Sequence, residues 1–532
     1  MGGNPFLGVF FHWLGGLASG SFYVPYRAVR KWSWEVFWLT GGFFSWIIAP
    51  WVAAFLLSND LCAVLRIAFQ EHFNSVGLAF LFGMMWGMGG LTFGLTMRYL
   101  GMSLGMAVAL SYCTVFGTLM PPIFRREFVS KVCGEPSGIL ILFGLGICIL
   151  GIVIAALAGM SKEREMSEEA KRAAIKEFSF TKGLLVATFS GIMSAGMSFG
   201  MAAATPIADI SLNHGTPKMW SELPRLCVIL AGGFTANFVW CLLLFLKNKT
   251  GGQFFAKYID NSGNIPQTPE DRFRVPMLAN YIFCAVAGTT WYLQFFFYSM
   301  GETQMGAYQF SSWPLHMASI MIFSSLWGIA LKEWKGSSGY TKTVLFVTLV
   351  TLIFSTIVMG YGTHLGKITN EARFYSIAEQ ILLERDAMDN AKADQARKAD
   401  RVKTIFALTG KIAKFDKPAE KTEAGKDTAL PPIIGLAKDI ELFDSFYLSP
   451  LSEEGKTKRK INERDKKIAH LVRDIAASRQ LFVDTEGKTE SPEEAVLTAN
   501  KERAIQTANT VEELLAALKR RETSSSDKKA KE

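Results

Sequence analysis

His316 shares one face of an apolar stretch with Gln309, Ser312 and Ser319, at helical spacing. An imidazole titrates near neutral pH, so a histidine held among hydroxyls and amides can bind a neutral ligand, carry a proton, or do both. His12 stands over Gly16, Ser19 and Tyr23 in the same way, and Asn280, Trp291, Gln294 and Tyr298 make a third stripe. Ser190, Ser194 and Ser198 make a fourth. These side chains donate and accept hydrogen bonds without carrying net charge. A lumen built from them suits an uncharged polyhydroxylated ligand, a sugar first of all, whose hydroxyls meet amides and imidazoles and whose C–H face lies on an aromatic ring. The structural alternative is that Ser and Asn join helices and that a single His bonds a neighbouring carbonyl. Glu35, Arg98, Glu302 and Glu333 fall near the ends of apolar stretches, where helix-end pairing or snorkelling explains them at least as well as transport does.

The elements that must position these residues are ten apolar stretches, each about 19 to 27 residues long, within the first 365 or so residues; a helix of about 20 residues crosses the roughly 30 Å hydrocarbon core of a bilayer. The expected spans are Phe6 to Tyr26, Val36 to Leu57, Val76 to Met97, Met102 to Ile123 and Gly138 to Met160, then Gly183 to Ala204, Leu226 to Leu246, Met277 to Met300, Met305 to Leu331 and Thr343 to Tyr361. Glycine-rich runs such as GMMWGMGGLTFG would weaken a soluble helix, but in lipid they let helix backbones approach closely.

The chain joins two materials. Residues after Leu365 carry 32 Lys and Arg against 30 Asp and Glu, so most of the net charge of +9 sits in the loops of the membrane part. That diffuse positive balance orients a bundle in a bilayer, and no basic stripe with interleaved aromatics supports nucleic-acid binding. Seven scattered Cys without CxxC spacing imply neither a metal site nor a disulfide framework. No HExxH, GxSxG or intramembrane acid pair points to an enzyme, and no cofactor is expected beyond a proton as coupling ion. The first stretch lacks the charged lead of a cleaved signal and is expected to be retained.

Span one carries GGLASGSF and span six GIMSAGMSF, while the turns RYLGMSLGM and YSMGETQMG join spans three to four and eight to nine. Five spans per unit is an odd number, so two such units in one chain must be inverted relative to each other, with substrate between them at the midplane. The expected organisation is therefore a first five-helix repeat over 1–161, a charged linker over 162–182, a second repeat over 183–365 and a charged, helical or partly disordered extension over 366–532. Within that extension, a long helix is expected from Glu371, with shorter ones near Arg459 to Phe482, Ser491 to Thr507 and Thr510 to Arg521. Alternate loops hold 18 and 6 Lys and Arg. The excess places the linker after span five in the cytoplasm and both termini outside.

Ordered blocks across both halves resemble the L-rhamnose/proton symporter family of the drug/metabolite transporter superfamily. They are Lys31-Trp32-Ser33-Trp34-Glu35, the run from Gly94 to Ser103, Gly117-Thr118-Leu119-Met120 before a Pro, the run from Ser194 to Phe199, the run from Trp291 to Tyr298, Ser312-Trp313 with Leu315-His316-Met317, and Leu331-Lys332-Glu333-Trp334. The resemblance covers about residues 6 to 361. It implies proton-coupled import of L-rhamnose or a similar deoxy sugar across the cell inner (plasma) membrane, by alternating access between two inverted five-helix halves. One departure is that some members carry an acidic residue just before the Ser-Trp of span nine, where this chain reads Tyr308-Gln309-Phe310-Ser311. On this reading Gln294, Tyr298, Ser312 and His316 contact sugar hydroxyls, Trp291 or Trp313 stacks on the ring, and His316, His12 or Glu35 exchanges the proton. The partners are a small neutral sugar and the lipid bilayer; nothing identifies a partner for the tail. Two other readings are export of a small metabolite or drug, and a receptor or scaffold that acts through the tail without flux.

Overall fold

The computed structural model describes residues 4–100, 102–165, 180–260 and 273–389, with 402, 404–405, 408, 502 and 504–516. Asn4 starts the first helix: its Oδ1 accepts from the N–H groups of Phe6 and Leu7 at 3.2 and 3.4 Å, and Pro5 fills the first turn, where a missing N–H costs nothing. Helix α1 covers Pro5–Ser21, and one further turn, Tyr23–Tyr26, follows it. Helix α2, Trp34–Leu57, passes through a π turn at Phe44–Ile48, where the Ala49 N–H reaches back to Phe44 O. Pro50 explains the turn: it has no N–H and its ring crowds the preceding turn, and the wider coil accommodates both while Trp46 is seated inside the protein.

The remaining helices are α3 (Leu61–Glu71), α4 (Phe73–Leu100), α5 (Met102–Phe124), α6 (Pro136–Arg164), α7 (Phe180–Ser194), α8 (Gly196–Ala203), α9 (Thr205–Asn213), α10 (Leu223–Asn248), α11 (Met277–Gln304), α12 (Ser312–Ala330) and α13 (Gly339–Asp389). A two-residue antiparallel ladder pairs Tyr258 with Arg274 and Ile259 with Phe273. Among the described residues eight helical segments are long and apolar enough to cross a membrane, so the protein is an all-α polytopic membrane protein. The two other long helices are α1, with 17 residues, and α11, with 28 residues that include Asn280, Gln294, Tyr298 and Glu302. Both carry polar stripes, and α1 packs along α11 and α12.

Two helices lie outside the expected set. α3 and α9 are short and pack on each other, and Asn59 links the loops beside them through Thr216 Oγ1 at 2.9 Å and Gly215 O at 2.8 Å. Their apolar positions follow a helical period, but neither is long enough to span the bilayer. The expected sixth span also continues past Ala204. α7, α8 and α9 form one apolar path over Thr181–Asn213, bent at Ala195 and Ala204, with Pro206 in the first turn of α9.

Contacts divide the chain into Gly3–His364 and a second unit made up mainly of Leu365–Glu532. In the second unit, residues 504–516 form a continuous helix across the expected break between Thr507 and Thr510, and bury Ala504, Ala508, Val511 and Leu515 along one face. The helix expected near Arg459 to Phe482 and linker residues 166–179 lie outside the described residues.

Close helix packing is possible because glycines stand where side chains would collide. A Cβ at Gly16 would lie 2.3 Å from Ser319 Cβ, one at Gly83 would lie 2.0 Å from Ile229 O, and one at Gly288 would lie 2.0 Å from Gly41 O. Glu165 clasps the end of α6 to the start of α13, accepting from Ser338 N at 2.9 Å and Thr341 Oγ1 at 2.7 Å. The Ser338 and Thr341 hydroxyls hold its carboxyl below the usual range. Gly83→Ala is expected to cost about 1–3 kcal/mol by overpacking, whereas Gly77→Ala, with nothing within 4 Å of the new methyl, is neutral or stabilising. Thermal unfolding of the two variants in detergent checks the contrast.

Candidate functional site

Tyr298 of α11 is the centre of a buried cluster. Its ring centroid lies 5.2 Å from His12 of α1, 5.3 Å from His316 of α12 and 5.9 Å from Trp313. The two imidazoles are 6.5 Å apart. Glycines again permit the approach: a Cβ at Gly15 would meet His316 Cε1 at 3.2 Å and Gln294 O at 2.9 Å, and one at Gly301 would meet His12 Nε2 at 2.8 Å. Three helices therefore bring His12, Gln294, Tyr298, Trp313 and His316 together.

The hydrogen-bond inventory separates structural polar groups from uncommitted ones. Ser190 donates to Gly89 O at 2.9 Å, Ser198 to Gly117 O at 2.6 Å, and Ser319 to Leu315 O at 2.7 Å. Trp313 Nε1 donates to Cys113 O at 3.0 Å, and Asn280 bonds the backbone of Arg30 on both sides of its amide. Ser190, Ser198 and Trp313 thus join helices, Ser319 bonds within α12, and Asn280 holds the loop before α2. Both ring nitrogens of His12 and of His316, the Gln294 Nε2 and the Ser312 Oγ are buried without a hydrogen-bond partner. Each such atom costs about 1–3 kcal/mol when unsatisfied, so the cluster favours a polar, uncharged ligand that supplies several partners at once.

Three expected members stand elsewhere. Trp291 sits in a second aromatic cluster, 4.3 Å from Phe22, 5.1 Å from Trp38 and 5.6 Å from Trp46. Gln309 is exposed and does not join the Ser312–His316 face, because the chain turns there through the 3-10 segment Gly306–Ser311. Glu35 is buried, but it accepts from Asn248 Nδ2 at 3.0 Å and Thr250 Oγ1 at 2.7 Å, at the far end of α10. The 26 residues of α10 rise about 39 Å, so Glu35 and the residues at the start of α10 are nearly a bilayer apart.

That start holds a group of charges which corrects the expectation of a bundle without paired buried acids. Arg225 is 4% exposed; its Nη2 contacts Glu222 and donates to Glu302 Oε2 at 2.5 Å, and its Nη1 donates to Met201 O at 2.8 Å. The apolar run that starts at Leu226 assigns Arg225 to a loop, whereas α10 begins at Leu223 and draws it inside. A signal was present: Glu302 follows Tyr298 by four residues and so continues the stripe of Trp291, Gln294 and Tyr298. A carboxylate is also present beside the departure before Ser312-Trp313. It comes from another element: Glu135, at the start of α6, accepts from the Tyr308 hydroxyl, which in turn accepts from Ser137 Oγ at 2.7 Å.

Comparison with known proteins points the same way. The family model for the L-rhamnose-proton symport protein (RhaT) matches residues 1–364. An L-rhamnose-proton symporter of Yersinia pestis (strain Pestoides F) is 36% identical over 363 residues, which are 67% of this chain and 97% of the relative. One of Pectobacterium atrosepticum is 37% identical over 366 residues, 68% of this chain and 98% of the relative. With ordered sequence blocks, an all-helical membrane fold and a whole-length match to these relatives in agreement, the chain belongs to the L-rhamnose-proton symporter family, a family of transporters and not of enzymes.

Proposed function

We propose that this protein carries L-rhamnose, or a closely similar deoxy sugar, across the cell inner membrane together with a proton, by alternating access. The observation that carries the reading is the set of uncommitted buried polar atoms on His12, Gln294, Ser312 and His316 around Tyr298. Sugar hydroxyls both donate and accept, so one small molecule can satisfy an amide N–H, a hydroxyl and two imidazoles, while the Tyr298 and Trp313 rings cover its C–H face. Trp291, earlier on α11, packs with Phe22, Trp38 and Trp46 and is not needed as a stacking ring in this arrangement.

Adding α1 and α11 to the eight apolar segments gives ten spans, which we read as two inverted five-helix repeats, 1–161 and 183–365, with 366–532 as an extension. The loop charge count supports a cytoplasmic linker after α6 and outward-facing termini. His316 and His12 are the imidazoles closest to the sugar, and either can hydrogen-bond it. Glu35, bonded at the far end of α10, ties α2 to the segment after α10. Nothing beyond a proton is required as coupling ion, and the tail takes no part in transport.

In proteoliposomes, labelled L-rhamnose is expected to accumulate when an inward proton gradient is imposed; failure to concentrate it or any other deoxy sugar sinks the reading. His316→Ala is expected to reduce that accumulation by at least about a hundredfold, as loss of a residue at the centre of the sugar site would. Uphill transport that persisted in His316→Ala would return the residue to a packing role. A chain ending after Leu365 is expected to retain uptake, measured in the same assay.

A further inference from the structure

The Glu222, Arg225 and Glu302 cluster holds two carboxylates and one guanidinium, all at least nine-tenths buried, where α10, α11 and α8 meet. With every group ionised its charge is −1, and a buried net charge away from water is disfavoured whichever partner compensates the other. Adding one proton to either carboxylate leaves one carboxylate paired with Arg225 and a neutral carboxyl beside them, so the cluster becomes neutral. Arg225 does not close the set: its Nε is buried and makes no hydrogen bond. We propose that this cluster is the proton-binding site of transport, that one proton bound there per cycle is what makes the site closable, and that Tyr298 links it to the sugar.

Tyr298 stands one helical turn before Glu302 on α11, close enough to Arg225, Glu222 and Glu302 to interact with all three electrostatically. Its ring also touches His12 and His316. One side chain therefore contacts the sugar cluster and feels the charge of the triad. Protonation of a carboxylate weakens the pull of that pair on Arg225 and on the Tyr298 hydroxyl, which changes what Tyr298 offers to a sugar oxygen. Other charged or titratable groups stand around the cluster among the described residues. Asp209 faces Glu222 from α9, Lys218 stands on the turn that leads into α10, His12 and His316 lie beyond Tyr298, and Glu35 is at the opposite end of α10.

The step is a proton equilibrium and needs no other reactant. A carboxylate oxygen of the pair takes a proton from the outer side, the neutral cluster moves with its helices past lipid, and the same O–H bond breaks toward the cytoplasm. The inference rests on the symport reading above, and the test separates the two. Full-length protein in proteoliposomes is assayed for accumulation of labelled L-rhamnose under a one-unit proton gradient, and for exchange of labelled against unlabelled L-rhamnose at equal pH. One proton per sugar lets the wild type accumulate up to about tenfold. Wild type that neither accumulates nor exchanges L-rhamnose would sink the function; wild type that does both leaves the site to be judged by its variants.

Glu302→Gln is expected to exchange sugar at close to the wild-type rate, to lose accumulation down to equilibration, and to lose the pH dependence of exchange between pH 5 and 8. Glu302→Asp, which keeps a titrating group, is expected to restore accumulation in part. Glu222→Gln tests the second carboxylate and shifts the profile in the same direction. Wild-type accumulation in both Gln variants would overturn the proposal. So would loss of exchange together with accumulation in a Gln variant that still unfolds cooperatively, since the cluster would then be part of the scaffold or the sugar site.

Discussion

Hydrocarbon offers no hydrogen bonds, and that single fact governs where every polar group in this protein can go. Backbone groups satisfy one another within helices, and polar side chains turn inward to find partners on neighbouring helices. Such partners are within reach only where backbones come close, and the glycines at positions 15, 16, 83, 288 and 301 are what bring them close. Along α1, Gly15 and Gly16 settle the helix onto α11 and α12, and His12 enters the same contact. Without those absent side chains the two imidazoles would not share one ring of contacts.

Within that frame the polar groups fall into two populations. Several near the ends of the helices are bonded: Glu35 to Asn248 and Thr250, Glu165 to Ser338 and Thr341, Glu135 to Tyr308, and Asn59 to the loop after α9. Around Tyr298 they are not, with His12, Gln294, Ser312 and His316 holding unsatisfied atoms in a dry setting. A concentration of unsatisfied polar atoms on three helices around one tyrosine is arranged for a ligand that brings its own hydrogen bonds. The serines show the contrast. Ser190 and Ser198 sit on a similar polar face, yet both spend their hydroxyls on backbone carbonyls of neighbouring helices and so join α7 and α8 to α4 and α5.

The membrane class, most span positions and the shared face of Gln294 and Tyr298 are legible because each rests on a local period, whereas the meeting of that face with His12 and His316 is not. Twenty apolar residues in a row have one physical use, and a residue at i shares a face with those at i+3, i+4 and i+7 wherever the helix stays regular. The reading failed where that regularity or that length was missing. Gln309 left its stripe because the chain before α12 is a 3-10 segment, and α3 and α9 were passed over because helices of 11 and 9 residues cannot cross a bilayer and carry no uninterrupted apolar signal. Trp291 packs with Phe22, after α1, and with Trp38 and Trp46 of α2, a choice of neighbours that the period of α11 does not contain.

By itself, then, the sequence determined that this chain lives in lipid, which faces of its helices are polar, and which family it belongs to, since hydropathy, helical period and ordered blocks are properties of the linear chain. Only the tertiary structure decided which of those polar groups are consumed by neighbours and which remain open. It also decided that Arg225 and Glu302, 77 positions apart, meet with Glu222 inside the protein. The reason is that a hydrogen bond or an ion pair is a relation between two helices, and the chain records each helix without recording its neighbour.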